Sequence, residues 1–435
     1  MAVAHERGQS GAAETLSYED LYRRWEQGNW QATAIDFSED RVGWAGLSDM
    51  QRRSAIWLYS MFLYGEDSVA ENLSPYIDAA PTVEQKYFLT TQQVDEARHA
   101  VFFHRFFTEV VGVGPGIAET LAATEPHQNW AYRAVFDRLD RMADELRRDR
   151  SLPKFAQAVA LYHLVVEATM AQPGQHFIEE HFARAGSLPG FSEGMANVAV
   201  DEQRHIGFGV KTLHDCFAAS EECRATVAAI MAEMFRYVVA VFIPPGWDRE
   251  YTRCYGFELE EIYAFAIRSI RTKWRAAGYP LEDMPAGVLP IDLSLEEEEL
   301  ARRVIVLTSA GVLGEPHPRP GVSPEIQRLF FDTVARTIDP RRGGPGRLCI
   351  QWRFSDADPW HVVVEGATSR AAPGEAADAD VTIESPWKDW IDLAAHGVNP
   401  TGALLHRRLR IHGSPRALLR MPRLVRYRPR VAPAS

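Results

Sequence analysis

Two short segments, DEARH at 95–99 and DEQRH at 201–205, repeat one pattern in distant parts of the chain. Each contains Glu-x-x-His, with Asp before the Glu and Arg before the His. With 35 Glu and 14 His among 435 residues, about one such match arises by chance. Two matches that share their flanking residues therefore carry information. Three residues advance about 300° around an α-helix, so Glu96 and His99 project from one face, as do Glu202 and His205. Apolar neighbours flank both pairs: Val94, Phe102 and Phe103 near the first, Val198, Val200, Ile206 and Phe208 near the second. Carboxylates and imidazoles buried among such residues need partners or a metal. A purely structural hydrogen-bond network between helices is the competing reading.

Residues from about 47 to 275 read as long helices. Ser48 with Gln51, and Thr82 with Gln85, fit the capping box that satisfies the first free amides of a helix. The stretch after Thr82 has no Gly or Pro before Gly112, where VGVGPG stops it. Ser151 and Pro153 open another helix, which carries LYHLVVEATMAQ and reaches an expected kink at Pro173-Gly174. A further helix follows Pro189-Gly190 and carries the second echo. The expected fold is mainly α: a helical bundle, followed by a small α+β domain.

A dinuclear carboxylate site in a bundle takes one more Glu from each of two other helices. Glu167 sits in the apolar run LYHLVVEATM, where an unpaired charge is hard to tolerate, and Glu66 sits in FLYGEDSVAENL. Glu71 is the rival to Glu66, but it is the more surface-like residue. The candidate metal ligands are thus Glu66, Glu96, His99, Glu167, Glu202 and His205. Four carboxylates balance two divalent ions, and oxygen and imidazole donors suit iron and manganese. Asp95 could hold His205 and Asp201 could hold His99 across the bundle, fixing each imidazole tautomer. His163, one turn before Glu167, reads as a core histidine rather than a seventh ligand.

Composition narrows the function classes. The apolar share is 46% and the charged share 24%, which is globular. A net charge of −12 excludes the chain as a whole from binding polyanions such as nucleic acid. Residues 401–435 run the other way, with nine Arg and no Lys, Asp or Glu. Such a basic tail reads mainly as a solvated end and allows weak contact with a membrane surface. Cys216, Cys223, Cys254 and Cys349 are scattered without metal-ligand spacing, and MAVAHERGQSG lacks the apolar core of a signal peptide. The expected location is the cytoplasm.

The residues assembled above resemble the ferritin-like di-metal carboxylate proteins, and among them the small subunit of ribonucleotide reductase. The closer likeness is to the ligand-binding oxidases of that small-subunit type. Their pattern has a Val three residues after the first-helix Glu and a Tyr five residues before the third-helix Glu, as Val69 and Tyr162 stand here. The resemblance covers roughly residues 15–275. It implies a mixed manganese/iron centre, or two irons, that activates O2, an ether bond between Val69 and Tyr162, a bound long-chain fatty acid and a homodimer. On an ordinary α-helix Tyr162 lies about 140° from Glu167, a neighbouring position from which it could reach the site.

After about residue 280 the pattern changes. AAGYPLEDMPAGVLP reads as a flexible connector, and Glu296–Glu299 begins a helix expected to be solvated. LCIQWRF (348–354), WHVVVEG (360–366) and DVTIES (380–385) read as strands, with helices at about 325–337, 386–396 and 415–424. The stretch from 380 to 421 is similar to the end of sterol carrier protein type 2-like domains, which enclose an apolar cavity for lipid. Asn399-Pro400 matches that family's turn. Gly397 sits one position late, with His396 in the family's Gly place, and Arg407 replaces the Gly that opens the last strand. The expected domains are a di-metal bundle over 15–285 and a lipid-carrier-like domain over 320–430.

The leading expectation is an oxygen-activating di-metal oxidase that accommodates a long acyl ligand or another apolar molecule. A di-iron N-oxygenase or hydroxylase of a tailored metabolite is the second enzyme reading. A non-catalytic metal- and lipid-binding protein is the third.

Overall fold

Both capping boxes form, and each starts a helix that carries one of the acids. The Gln51 amide donates to the Ser48 hydroxyl at 3.2 Å, and the Ser48 amide donates to the Gln51 side chain at 3.0 Å. Thr82 and Gln85 repeat the exchange at 3.3 and 3.1 Å. The helices they open are Asp49–Asn72 and Val83–Phe106. The second continues through a wider π turn, Phe107–Val111, and stops at Gly112 (φ 82°), a left-handed position suited to glycine. The structure is a computed structural model, and it describes residues 16–285, 287–343 and 346–424. The N-terminal MAVAHERGQSG and the last arginines of the basic tail, Arg426, Arg428 and Arg430, lie outside the described residues.

The third acid-bearing segment departs from the expected kink. Helix Leu152–Val159 passes into a π-helix, Ala160–Ala171, and then into Gln172–Ala185, so the irregularity lies upstream of Pro173. Proline has no N–H to give. The carbonyl of Ala168, five residues before it, accepts the Ser269 hydroxyl at 3.0 Å. The fourth helix, Pro189–Ala219, packs against this segment at Gly209, where a Cβ would lie 2.2 Å from Cβ of His163. At Gly194 a Cβ would meet the Phe102 ring at 2.0 Å. Beyond that contact lies an aromatic cluster in which Phe191 stands 4.3 Å from Tyr59 and 4.4 Å from Phe106. Val94 and Val200, expected among the buried neighbours of the echoes, are instead 51% and 58% exposed. Helical periodicity turns them outward while Glu96, His99, Glu202 and His205 turn in.

The chain divides into two compact units. One runs to Ile230 and includes Val241–Leu281; the other comprises Met231–Ala240 and the chain from Glu282 onward. In the second unit, five strands are ordered β3-β2-β1-β4-β5: β1 Leu348–Phe354, β2 Trp360–Glu365, β3 Thr368–Pro373, β4 Val381–Ser385 and β5 Arg410–Gly413. β1 is antiparallel to β2 (Ile350 opposite Val362) and parallel to β4 (Ile350 opposite Val381). Phe331, on helix Pro324–Thr337, stacks on Trp360 with centroids 5.0 Å apart. In the helix expected to be solvated, Glu297–Ser309, only Glu298 and Ser309 are exposed, while Leu300, Val304, Ile305 and Leu307 are buried. Met284 and Val288, from the expected flexible connector, are buried as well. Arg407 takes a left-handed backbone (φ 57°), a conformation that suits glycine better than a side chain with a Cβ. Among the described residues, no helix is long and apolar enough to cross a membrane.

Candidate metal centre

Four helical segments bring six side chains into one buried cluster. Glu66 comes from Asp49–Asn72, Glu96 and His99 from Val83–Phe106, Glu167 from the π segment, and Glu202 and His205 from Pro189–Ala219. All six are at most 7% exposed. Nδ1 of His99 stands 3.2 Å from Glu66, 3.5 Å from Glu96 and 3.6 Å from Glu202. Nδ1 of His205 stands 3.2 Å from Glu96 and 3.7 Å from both Glu167 and Glu202. The ligand atoms fall into two overlapping groups, Glu66/Glu96/His99/Glu202 and Glu96/Glu167/His205, within each of which they lie no more than 4.8 Å apart. Glu96 belongs to both. Glu71, the rival acid, is exposed.

The charges are poorly served by protein alone. Burial pushes the Glu66 and Glu167 carboxyls well above the usual range. Burial works against charge on His99 and His205 too, but the surrounding carboxylates outweigh it and hold both imidazoles well above their ordinary value. Oε2 of Glu167 and Oε2 of Glu202 are buried with no hydrogen-bond partner, and Nδ1 of His205 faces only the Glu96, Glu167 and Glu202 carboxylates. Orphaned buried polar atoms are costly. Here they belong to a cluster of hard oxygen and imidazole donors, the set that takes divalent first-row metals.

The outer nitrogens of the imidazoles are fixed. Nε2 of His99 meets Oδ2 of Asp201, and Nε2 of His205 meets Oδ2 of Asp95, each at 3.1 Å. Burial raises the Asp201 carboxyl, yet His99, Arg204 and Trp30 together hold it well below the ordinary range. Tyr162 donates to Oε1 of Glu96 at 2.6 Å. The Gln92 amide donates to Glu167 at 2.8 Å and reaches the Tyr162 oxygen at 3.1 Å, while its carbonyl faces Nε2 of His163, also at 3.1 Å. Burial first, then the neighbouring His205, lowers His163 to about 3, so it stays neutral on Gln92.

Beside the cluster lies a cavity of about 120 Å³. Glu66, Glu96, Glu167 and Glu202 form one part of its wall, and Val69 and Tyr162 both line it. Much of the remaining lining is apolar, including Trp57, Met61, Phe62, Val166, Met170 and Ile178.

Residues 14–241 match the family described as ribonucleotide reductase, small chain. The chain belongs to that family. Among solved structures, the small-chain unit is similar to variants of an R2-like ligand-binding oxidase with a reconstituted Mn/Fe cofactor. One anaerobically reconstituted variant is 25% identical with a TM-score of 0.53, covering 60% of this chain and 93% of its own. An aerobically reconstituted variant is also 25% identical, with a TM-score of 0.54 and coverage of 60% and 94%. Residues 345–426 match the SCP-2 sterol transfer family, so this small-chain member carries a further domain.

Sequence reasoning assigned no role to Gln92, Arg98, Arg204, Trp25 or Trp30. Gln92 carried a signal, one turn before Glu96 on the same face. The arginines carried a stronger one, since each recurs at the same place in its echo.

Proposed function

We propose that the bundle is an oxygen-activating oxidase whose manganese/iron pair, or iron pair, is held by Glu66, Glu96, His99, Glu167, Glu202 and His205. One observation carries the reading: two ligand groups sharing Glu96, with orphaned donor atoms, open onto a cavity whose wall is otherwise mostly apolar. When bound, the metals supply electrons to O2 and the oxidising power to attack an unactivated C–H bond. Asp95 and Asp201 hold the imidazoles with Nδ1 inward. The apolar lining excludes water and suits a long acyl chain or another apolar molecule.

Tyr162 and Val69 are proposed as the internal target. An ether bond forms between Cβ of Val69 and the Tyr162 oxygen as one C–H and one O–H bond break. Two protons and two electrons would leave the pair; with two electrons from the reduced metals and two further protons from water, they would account for reduction of O2 to two waters. Glu96, already accepting the phenolic hydrogen, is placed to hold the Tyr162 proton.

The second unit is proposed to bind an apolar molecule, in keeping with its SCP-2 match. The small-chain unit is proposed to pair with a second copy through Val83, Tyr87 and Val94, which are 54%, 62% and 51% exposed along one helix face. The four cysteines are free, as suits the reducing cytoplasm. Oxygen uptake by the reduced, metal-loaded protein tests the oxidase reading, and no uptake would favour a non-catalytic metal- and lipid-binding role. Product analysis, together with extraction of bound apolar molecules, separates an oxidase acting on acyl chains from an N-oxygenase or hydroxylase.

A further inference from the structure

The two arginines of the repeated pattern are not ligands, yet they lie deep beside the ligands. Arg98 and Arg204 are 10% and 5% exposed in their side chains; Asp95 and Asp201 are 1% and 0%. Nη2 of Arg98 donates to Oδ2 of Asp201 at 2.9 Å and also to Oδ1 of Asp95. Nη2 of Arg204 donates to Oδ2 of Asp95 at 2.8 Å, and its Nη1 forms an ion pair with Oδ1 of Asp201 at 2.7 Å. Each arginine therefore touches both aspartates, closing a ring of two cations and two anions. Each aspartate also holds one imidazole. The indoles behave differently. Trp25 donates only to Asp95, at 2.9 Å, and Trp30 only to Asp201, at 2.8 Å.

We propose that Arg98 and Arg204 are positioning residues that join the supports of His99 and His205 into one brace, so that the two metal sites are set together. Two aspartates with one arginine each would make two independent supports. With every arginine spanning both, removing one leaves two buried carboxylates short of a cation. An uncompensated buried charge is costly, and each aspartate would shift toward whatever donors remain. Its imidazole would shift with it. Losing an indole disturbs one aspartate only.

This inference rests on the di-metal reading, and the experiment keeps the two apart. Metal-free full-length protein is dialysed without oxygen against graded Mn(II), and bound metal is quantified for the wild type, Arg98→Gln, Arg98→Lys and Trp25→Phe. Folding of each metal-free variant is checked by circular dichroism. Arg98→Gln is expected to weaken both ions about 10–100-fold, and Trp25→Phe to weaken one. Arg98→Lys keeps the charge without the planar fork and is expected to recover part of the loss at both ions. If Arg98→Gln does not fold, Arg98→Lys decides the matter, with a smaller loss expected at both ions. Loss confined to one ion in a folded Arg98 variant, or no loss, overturns the brace. A wild type that binds fewer than two ions removes the underlying di-metal reading, and the brace with it.

Discussion

The Tyr162 hydroxyl lies 2.6 Å from Oε1 of Glu96, an acid common to both candidate ligand groups. The π-helix makes this contact possible. With about 4.4 residues per turn, the five residues from Tyr162 to Glu167 advance little more than one full turn. The two side chains therefore share a face rather than standing 140° apart, and Gln92 donates to both.

Aerobic loading of the metal-free protein with manganese and iron is expected to lower the intact mass by about two hydrogens, through a link between Val69 and Tyr162. Proteolysis should yield one joined peptide pair, and Tyr162→Phe should abolish it. Unmodified Val69 and Tyr162 after full metal oxidation would reject the cross-link while leaving the metal site in place.

Glu96→Ala is expected to impair binding of both ions, because Glu96 belongs to both groups, whereas Glu66→Ala should chiefly impair one. Neither should unfold the bundle. Glu66→Ala removes a carboxyl whose charge burial disfavours, so the melting temperature of the metal-free protein should hold or rise. At Glu96 burial is outweighed by His205 and His99, which hold the carboxylate well below its ordinary range, so Glu96→Ala should lower that melting temperature. Metal analysis and thermal melts of both variants check this.

Gly209→Ala is expected to destabilise the small-chain unit by about 1–3 kcal/mol, since the new Cβ would lie 2.2 Å from Cβ of His163. Urea unfolding measures it. A neutral result would show that the π segment yields easily there.

A fragment starting at Glu282 is expected to melt well above one limited to 320–430. Only the longer fragment keeps helix Glu297–Ser309, whose Leu300, Val304, Ile305 and Leu307 are buried. Each such side chain contributes about 1.5–3 kcal/mol when fully buried. Equal melting temperatures would make that helix dispensable.

Much of this architecture is legible where one residue pattern has one geometric consequence. The capping boxes and Glu-x-x-His spacings need only helical periodicity. The rest depends on contacts between distant segments. The echo singles out Arg98 and Arg204, but a helical arginine ordinarily reads as solvated, so recurrence alone does not show them closing on two aspartates. The π-helix escapes an analysis that assumes 3.6 residues per turn. β3, with Arg370 and half-covered small residues at the sheet edge, lacks the apolar alternation that marks β2. The acidic start of Glu297–Ser309 masks the apolar face that follows it.

Metal quantification per chain tests the central claim most directly. Full-length protein loaded with Mn(II) and Fe(II) without oxygen, then desalted, is expected to retain two ions per chain. One ion or none in folded protein would contradict the dinuclear account.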